Sequence, residues 1–322
     1  MPEFQSFMSS LSIGTPTTVD GLSVYPLLRT VASPPFYDTL SDAVRLGTLH
    51  ISEVSDAGNV PELRVVNDGP RPVLILDGEE LVGAKQNRIV NLTILVPPKT
   101  SLTIPVSCVE AGRWREVSRE FTPAQHAYHS SGRRAKVEQV SMSLRSDGAR
   151  SSDQSAIWGE IEMKSARMGS NSRTRAASAM YDNERHNLDK FVEGLPPQDW
   201  QVGAVFAIRG QIAGLDVFDS PRTWALLMPK LVRSYGLDAL DRGIGGDGFA
   251  EPSPGRFLDA VSAAQCTFYP AVGAGRDLRV EGGGILGAAL TTEQGVVHAV
   301  AFPAADVTHP RPRRGSFDRL RQ

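Results

Sequence analysis

The sequence has few of the features that mark specialised classes of protein. Its two cysteines, Cys108 and Cys266, lie far apart and show neither a CxxC nor a Cys/His metal spacing, which argues against a disulfide framework. No apolar run reaches the ~18 residues of a membrane span, and the N-terminus lacks the apolar stretch of a signal peptide. The net charge of −2 gives no excess that would attract nucleic acid or anionic lipid. We therefore expect a cytoplasmic protein with neither a membrane nor a specific nucleic acid as partner.

The composition is that of a globular protein with a sizeable core. Hydrophobic residues make up 41% of the 322 positions and charged residues 22%. A chain of this length exceeds one ordinary core, which predicts two domains or one large composite unit.

Short apolar runs alternate with polar turns between residues 60 and 114. The runs cover 63–66, 73–76, 89–96 and 102–109, and the breaks between them contain Asn, Asp, Gly and Pro. This pattern is typical of antiparallel strands in a sandwich or an open barrel. The breaks are too short for the helical crossovers of a parallel sheet.

We predict an α+β protein with four segments. Residues 1–20 are expected to be a loose leader, and residues 21–120 an antiparallel β half that includes a short helix at 38–47. Residues 121–304 are expected to be a mixed half of helices and hairpins that shares a core with the first, followed by a disordered basic tail at 305–322.

Turn and capping signals divide the second half. The runs on either side of Arg209-Gly210 predict a hairpin over 202–218. Ser220-Pro221 predicts a helix start, with a kink or a restart at Pro229, and Ser253-Pro254 predicts a second helix. Strands are expected at 266–269, 277–281, 285–292 and 296–302.

The segment 121–171 is rich in Ser, Arg, Gln and Gly, and the alternation at 140–144 predicts a strand. The stretch from Arg133 to Arg175 contains nine basic and five acidic residues. Two interpretations stay open, a solvated connector and a basic rim that attracts a phosphate-bearing ligand.

Three carboxylates are the catalytic candidates. Glu79 and Glu80 follow a turn at Asp77-Gly78, and strand alternation places them on opposite faces, which would leave one of them exposed. Glu110 lies near the end of a later strand. Glycosidic hydrolysis uses two carboxylates ~5–10 Å apart, so Glu110 is the candidate for the second. The alternative is that the Glu79-Glu80 pair solvates a turn.

Donor side chains cluster close to these acids. Lys85, Gln86, Asn87 and Arg88 could hold a phosphate, a sugar or a carboxylate, with Lys85 and Asn87 on one face and Gln86 and Arg88 on the other. We interpret Cys108 as a small buried residue, since no histidine base is near it in sequence.

An ion pair and two histidines complete the set of candidates. Glu110 and Arg113 are expected to form an ion pair, with Trp114 packed over the arginine. His126 and His129 have a spacing that could ligate a metal, but no acid accompanies them in sequence, so no metal is predicted and the cofactor is unknown.

Three stretches resemble a known family. GEELVGAKQNRIVN, LVPPKTSLTIPVSCVEAGRW and VGAVFAIRGQIAGLDVFDSPRTWALLMPKLVRSYGLDAL resemble the ADP-ribosylglycohydrolase and rhodanese-phosphatase associated protein domain family over about residues 20–300. The family name records a genomic association with ADP-ribosylglycohydrolases and phosphatases. The matching motifs imply a site whose catalytic candidates are Glu79, Glu80 and Glu110 and whose ligand-binding candidates are Lys85, Gln86, Asn87, Arg88, Cys108, Arg113 and Trp114.

Three hypotheses about function follow. The first is an enzyme or sensor for a nucleotide-sugar or ADP-ribose-type ligand, with Lys85 and Arg88 or Arg113 binding phosphate and a glutamate transferring protons, for example in glycosidic hydrolysis. The second is a non-catalytic module that binds a ligand or a partner, with Trp114, Tyr128 or Trp158 stacked in its pocket and no isolated acid. The third is a structural accessory protein.

Overall fold

The computed structural model describes residues 2–30, 34–55, 58–241 and 253–304. Within these ranges the helices are α1 (Pro2–Ser9), α2 (Leu40–Arg45), α3 (Ser130–Ser146), α4 (Gln154–Arg167), α5 (Ser178–Asn183), α6 (Arg185–Gly194), α7 (Pro221–Leu240) and α8 (Pro254–Ala263). The strands of the first part are β1 (Ser12–Ile13), β2 (Thr17–Val19), β3 (Leu22–Leu28), β4 (Asp38–Thr39), β5 (Leu49–Glu53), β6 (Glu62–Asn67), β7 (Val73–Ile75), β8 (Glu79–Gly83), β9 (Arg88–Val90), β10 (Ile94–Val96) and β11 (Thr100–Cys108). The remaining strands are β12 (Phe121–Ala127), β13 (Gln201–Ile208), β14 (Gln211–Phe218), β15 (Gln265–Pro270), β16 (Arg276–Gly282), β17 (Ile285–Thr292) and β18 (Gly295–Pro303).

Two antiparallel sheets carry most of the strands. The larger has the order β1-β3-β13-β14-β18-β17-β16-β15, with β2 paired to β3, and the other has the order β12-β8-β9-β11-β6-β5. A small third sheet, β10-β7-β4, contains one parallel pair, β4 with β7. This architecture confirms the α+β class predicted from the sequence.

The principal hydrophobic core joins residues that are distant in sequence. One cluster of buried side chains includes Leu74 and Ile89 from the β-rich part together with Trp224 and Phe302 from the C-terminal part. Helix α7 lies against β13 and β12, which belong to different sheets. The candidate residues on β8, β9 and β11 therefore lie beneath helices from the second part of the chain.

The start of the chain differs from the expected loose leader. Helix α1 buries Phe4, Phe7 and Met8, and these residues pack with Leu27 and Val202 in one cluster. The spacing of Phe4, Phe7, Met8 and Leu11 is helical, but the surrounding Ser, Thr and Gly residues conceal it. The expected basic tail at 305–322 lies outside the described residues.

The Ser- and Arg-rich segment is not a solvated connector, whereas the basic rim stays a prediction. It forms strand β12 and helices α3 and α4, and the expected strand at 140–144 lies inside α3. Val137, Val140 and Leu144 face the core at helical spacing, and Arg133 and Lys136 are buried beside them. The prediction was wrong because the buried cations were read as solvated charge.

Several local signals are confirmed. Strands β13 and β14 pair around Arg209-Gly210, and Ser220 caps α7 with its hydroxyl accepting from the Arg222 amide. The restart considered at Pro229 does not occur, because α7 is one continuous helix from Pro221 to Leu240 with Pro229 inside it. None of the helices in the described ranges is long and apolar enough to cross a membrane.

Candidate functional site

The donor cluster lies in the turn between β8 and β9 and at the start of β9. The pairing of β9 with β11 places Arg88 directly opposite Cys108, and the pairing of β8 with β12 brings Glu79 opposite Ala127. Three strands and one turn thus converge on one small volume. We call the group Glu80, Gln86, Asn87, Arg88, Cys108, Glu110 and Arg113 the arginine cluster.

Arg88 is the least satisfied member of the cluster. Its side chain has no exposed surface, and Nη1 donates to Gln86 Oε1 at 3.0 Å. Its Nε and Nη2 atoms have no hydrogen-bond partner among the described residues, and no carboxylate there lies within the 4.0 Å of an ion pair. Burial lowers the pKa of this guanidinium from its ordinary value. The cluster therefore contains a buried cation with two unused donors.

Cys108 contacts the side-chain amide of Gln86, which also accepts from Arg88. Its thiol donates to Gln86 Oε1 at 3.2 Å, and burial raises its pKa. The Gln86 Nε2 group donates to the Glu110 carbonyl at 3.0 Å, which fixes the orientation of the amide. Gln86 and Arg88 share one face, as alternation predicted.

Glu110 and Arg113 form the expected ion pair. Arg113 Nη2 lies 2.7 Å from Glu110 Oε2, and this oxygen also accepts from the Asn87 amide at 3.1 Å. Burial alone would raise the pKa of Glu110, but the hydrogen bonds from Arg113 and other donors hold it below its usual value. Glu110 is thus an ionised, fully engaged carboxylate.

Glu80 is also engaged, although alternation suggested that one glutamate of the pair would be exposed. Its Oε1 accepts from Asn87 Nδ2 at 3.1 Å and its Oε2 lies 2.8 Å from His126 Nε2. His126 in turn stacks on Tyr181, with ring centroids 3.5 Å apart. Glu80 is therefore buried and paired, and it does not solvate a turn as the alternative interpretation proposed.

Glu79 points to a different partner. Its Oε1 accepts from Lys230 Nζ of helix α7 at 2.5 Å, and its Oε2 accepts from the Leu76 amide at 2.9 Å. Glu79 and Glu80 lie on opposite faces, but both are fully buried because protein covers both faces of β8 at this point. The structure does not bring Glu79 into the arginine cluster.

Two residues form the edge of the cluster. The Trp114 ring, which is half exposed, has Lys85 Nζ 5.5 Å and Arg88 Cζ 5.8 Å from its centroid. It therefore packs over Lys85 and Arg88, whereas the sequence suggested Arg113. An open groove of about 540 Å3 adjoins this edge and is lined by Glu53, Ala84, Lys85 and Arg119 among others.

Helix α4 supplies Gln154, which sequence reasoning did not assign to the site, and Trp158, one of the aromatic residues expected in a binding pocket. Gln154 exchanges two hydrogen bonds with the backbone of Cys108, through Oε1 at 2.8 Å and Nε2 at 2.7 Å. Trp158, which is 37% exposed, contacts the Cys108 thiol. Gln154 and Trp158 are four positions apart, which places them on one face of a helix, and this spacing was a signal that could have linked them to one site.

A second buried network was also missed. Arg133 donates to Asp77 Oδ2 at 3.2 Å and to Asp216 Oδ1 at 2.6 Å, Lys136 donates to Asp77, and His298 Nε2 lies 3.2 Å from Asp216 Oδ1. Burial would raise the pKa of Asp216, but Arg133 holds it below its usual value. These charges are mutually compensated, in contrast to Arg88.

The two histidines considered as metal ligands have separate positions. His126 pairs with Glu80, whereas His129 caps helix α3 by accepting from the Gly132 amide. The described residues contain no group of three or more His, Cys, Asp or Glu side chains placed to hold a metal ion.

The comparisons agree with the motifs that build the cluster. Residues 10–302 match the family described as ARG and Rhodanese-Phosphatase-superfamily-associated Protein domain, ARPP-1. The chain belongs to the ARPP-1 family. The match contains every residue of the arginine cluster together with Lys85, Trp114, Gln154 and Trp158. No curated protein and no solved structure matches this ARPP-1 chain.

Proposed function

We propose that this ARPP-1 protein binds an ADP-ribose-type or nucleotide-sugar ligand at the arginine cluster, as a sensor or binding module. The observation that carries the proposal is the buried guanidinium of Arg88, whose Nε and Nη2 donors have no hydrogen-bond partner among the described residues. Leaving a buried charged group with unsatisfied donors costs about 1–3 kcal/mol or more, so a bound anion that accepts from them would offset a cost that the free protein bears.

Phosphate is the anion that this arrangement suits best. Arginine presents its N–H groups in a planar fork that matches two phosphate oxygens, and the free Nε and Nη2 atoms of Arg88 form one such pair. Lys85 adds a second cation beside the Trp114 ring.

Aromatic side chains supply the second half of the recognition. Trp114 and Trp158 are both partly exposed, and they contact Arg88 and Cys108, which face each other across β9 and β11. Indole rings at a rim are stacking surfaces for a nucleobase. The groove of about 540 Å3 lies in the size range of small-molecule sites.

The carboxylates favour binding over hydrolysis. Glycosidic cleavage needs one carboxylic acid that can donate its proton and a second carboxylate that acts as nucleophile or base. Glu79, Glu80 and Glu110 instead each pair with a basic side chain or accept from amides. In our proposal these three acids hold the donors in place. A glycosidic hydrolase that uses one of them is the alternative, and an assay for product separates the two.

The family context supports the class of ligand. The ARPP-1 description links the domain with ARG, the ADP-ribosylglycohydrolases, and with a rhodanese-phosphatase superfamily. Ligands that carry a diphosphate and a sugar would be at hand in that context.

The test measures ligand-dependent thermal stability. ADP-ribose, NAD, a nucleotide-sugar and glucose are added to the wild type, to Arg88→Met and to a control, Arg45→Met, which changes an exposed arginine on α2. We expect a phosphate-bearing ligand to raise the Tm of wild type and control, and to have no effect on Arg88→Met. Arg88→Met without ligand should be at least as stable as the wild type, because it removes a buried cation with two unsatisfied donors.

A structural role for Arg88 would give the reverse result. In that case Arg88→Met lowers the Tm without ligand, and any ligand-induced shift survives the substitution. Quenching of Trp114 fluorescence on titration, lost in Trp114→Phe, would locate the ligand at the rim. Chromatographic detection of free ADP-ribose products that disappear in Glu110→Gln would replace the binding proposal with the hydrolase.

A further inference from the structure

A second groove lies outside the arginine cluster, between helix α1, the end of β3 and the end of β14. It has a volume of about 530 Å3, and its lining includes Glu3, Phe7, Arg29, Phe36, Asp219 and Gln294. A neighbouring groove of about 830 Å3 shares Glu3, Phe36 and Gln294 with it. None of these residues belongs to the site proposed above.

Two opposite charges line this groove without pairing. Arg29 and Asp219 influence each other electrostatically, yet within the described ranges they form no ion pair at the 4.0 Å limit. The Arg29 guanidinium lies 5.1 Å from the centre of the Phe7 ring, and its Nε atom has no hydrogen-bond partner there. The cation therefore packs on the Phe7 ring and keeps one donor, Nε, without a partner.

The Asp219 carboxylate is held by the Tyr37 hydroxyl and by its own backbone amide. Its Oδ1 accepts from the Tyr37 hydroxyl at 2.5 Å, and the same hydroxyl lies 3.0 Å from Thr223 Oγ1. The cap of α7 is Ser220, so the Asp219 side chain has no capping role. Burial raises the pKa of Asp219 to about 6, against the opposing effects of Tyr37 and Arg29.

The pair of unmatched charges defines the chemistry of a ligand. A simple anion would be attracted by Arg29 but repelled by Asp219. A simple cation would be attracted by Asp219 but repelled by Arg29. A molecule that carries one positive and one negative group complements both Arg29 and Asp219. If Arg29 and Asp219 formed a direct ion pair, neither charge would need such a ligand.

We propose that this groove binds a zwitterionic ligand of the amino-acid type, with its ammonium group at Asp219 and its carboxylate at Arg29. The aromatic ring of Phe36 and the amide of Gln294 are placed to contact the rest of the ligand. The adjoining groove gives room for its side chain.

The ligand itself provides the first controls. Each common amino acid is titrated into the full chain by calorimetry, and any that binds is compared with its methyl ester and its N-acetyl derivative. We expect both derivatives to bind about 10–100-fold more weakly, since each loses one charge-assisted contact. Equal binding of the three forms, or no binding by any amino acid, would overturn the proposal.

Substitutions then assign each charge. Arg29→Met should weaken the amino acid but leave the methyl ester unchanged, whereas Asp219→Asn should weaken the amino acid but leave the N-acetyl form unchanged. Glu3→Gln is the matched control, because Glu3 lines the same groove and points mostly to solvent, with 66% of its side chain exposed. If Glu3→Gln weakens binding as much as Asp219→Asn does, the assignment to Asp219 is wrong.

The pH profile gives a readout that a merely structural role would not change. The ionisable groups around Asp219 are Tyr37, Arg29 and, at the groove rim, Glu3. Affinity should fall as the pH decreases through about 6, when Asp219 gains its proton. Tyr37→Phe removes a hydrogen bond that favours the ionised carboxylate, so the midpoint should move to higher pH. A midpoint that stays in place or moves to lower pH would contradict the role of Asp219.

Discussion

Lys230 of helix α7 donates a hydrogen bond to Glu79 of strand β8 across 2.5 Å, although the two residues lie 151 positions apart. Both side chains are almost completely buried. The pair joins the six-stranded sheet to a helix that packs on the nine-stranded sheet. Each charge depends on the other, because neither has water to replace its partner.

Removing one member of this pair should destabilise the fold strongly. We expect Lys230→Met to cost about 3–5 kcal/mol of unfolding free energy, because Glu79 is left as an unpaired buried charge. Chemical denaturation followed by circular dichroism measures the change. The double variant Glu79→Gln with Lys230→Met should lose less stability than Lys230→Met alone, and a double variant that loses more would contradict this account.

Two glycines should respond to alanine in opposite directions. A Cβ at Gly203 in β13 would lie 2.4 Å from the Asp216 carbonyl oxygen and 2.7 Å from Val217 Cα, both backbone atoms that cannot move aside cheaply. Gly203→Ala should cost about 1–3 kcal/mol or more. Gly159 lies within α4 and would meet nothing within 4 Å, so Gly159→Ala should stabilise by about 0.5–1 kcal/mol. The difference in Tm between the two variants tests the close approach of β13 to β14.

Glu160 should make stability depend on pH. Burial is the main cause that raises its pKa from the usual 4.5 to about 7, and the charge of Asp238 adds to it. The folded state therefore holds a proton that the unfolded state has released, so stability falls as the pH rises from about 4.5 to about 7. His129, whose pKa burial lowers to about 3, acts in the opposite sense between pH 3 and 6.5.

Comparison with Glu160→Gln isolates this effect. The variant lacks the titrating carboxyl, so the stability of the wild type minus that of the variant should decrease as the pH rises through this window. Denaturation midpoints at a series of pH values measure the difference. A difference that stays constant, or that increases with pH, would show that Glu160 ionises normally.

The two thiols should react at different rates. Cys108 is fully buried and hydrogen-bonded to Gln86, whereas Cys266 is partly exposed. We expect a thiol reagent at pH 8 to label Cys266 first, and Cys266→Ser to remain unlabelled until denaturant is added. Mass spectrometry after a short exposure measures this, and rapid labelling of Cys108 in folded Cys266→Ser would mean that the arginine cluster opens readily.

Local signals predicted many of the elements in the second part of the chain. The Arg209-Gly210 turn, the Ser220 cap and the closing strands follow from short-range geometry, which neighbouring residues specify by themselves. The segment 121–171 was misread because its buried Arg133 and Lys136 have partners on other elements. The proposed boundary at residue 120 stays a prediction.

The motifs predicted which residues form the arginine cluster, but they did not predict which of these side chains are already paired. Neighbouring motifs place Lys85 to Arg88 and Cys108 to Trp114 on adjoining strands, and strand pairing brings Arg88 opposite Cys108. Whether Glu80 or Glu110 is free for chemistry depends on His126 and Arg113. The answer depends on whether each carboxylate already has hydrogen-bond or ion-pair partners, and the sequence alone does not show which donors reach it.

The sequence alone determined the α+β class, the hairpins and the motifs of the ARPP-1 family, because periodicity, turn chemistry and capping are local properties. Only the tertiary structure decided which buried charges are matched. Glu79, Glu80 and Glu110 receive donors from distant elements, whereas Arg88 keeps two unused donors and Arg29 and Asp219 share a groove unpaired. The reason is physical, since the energy of a charge depends on what surrounds it in space, and those surroundings come from parts of the chain far away in sequence.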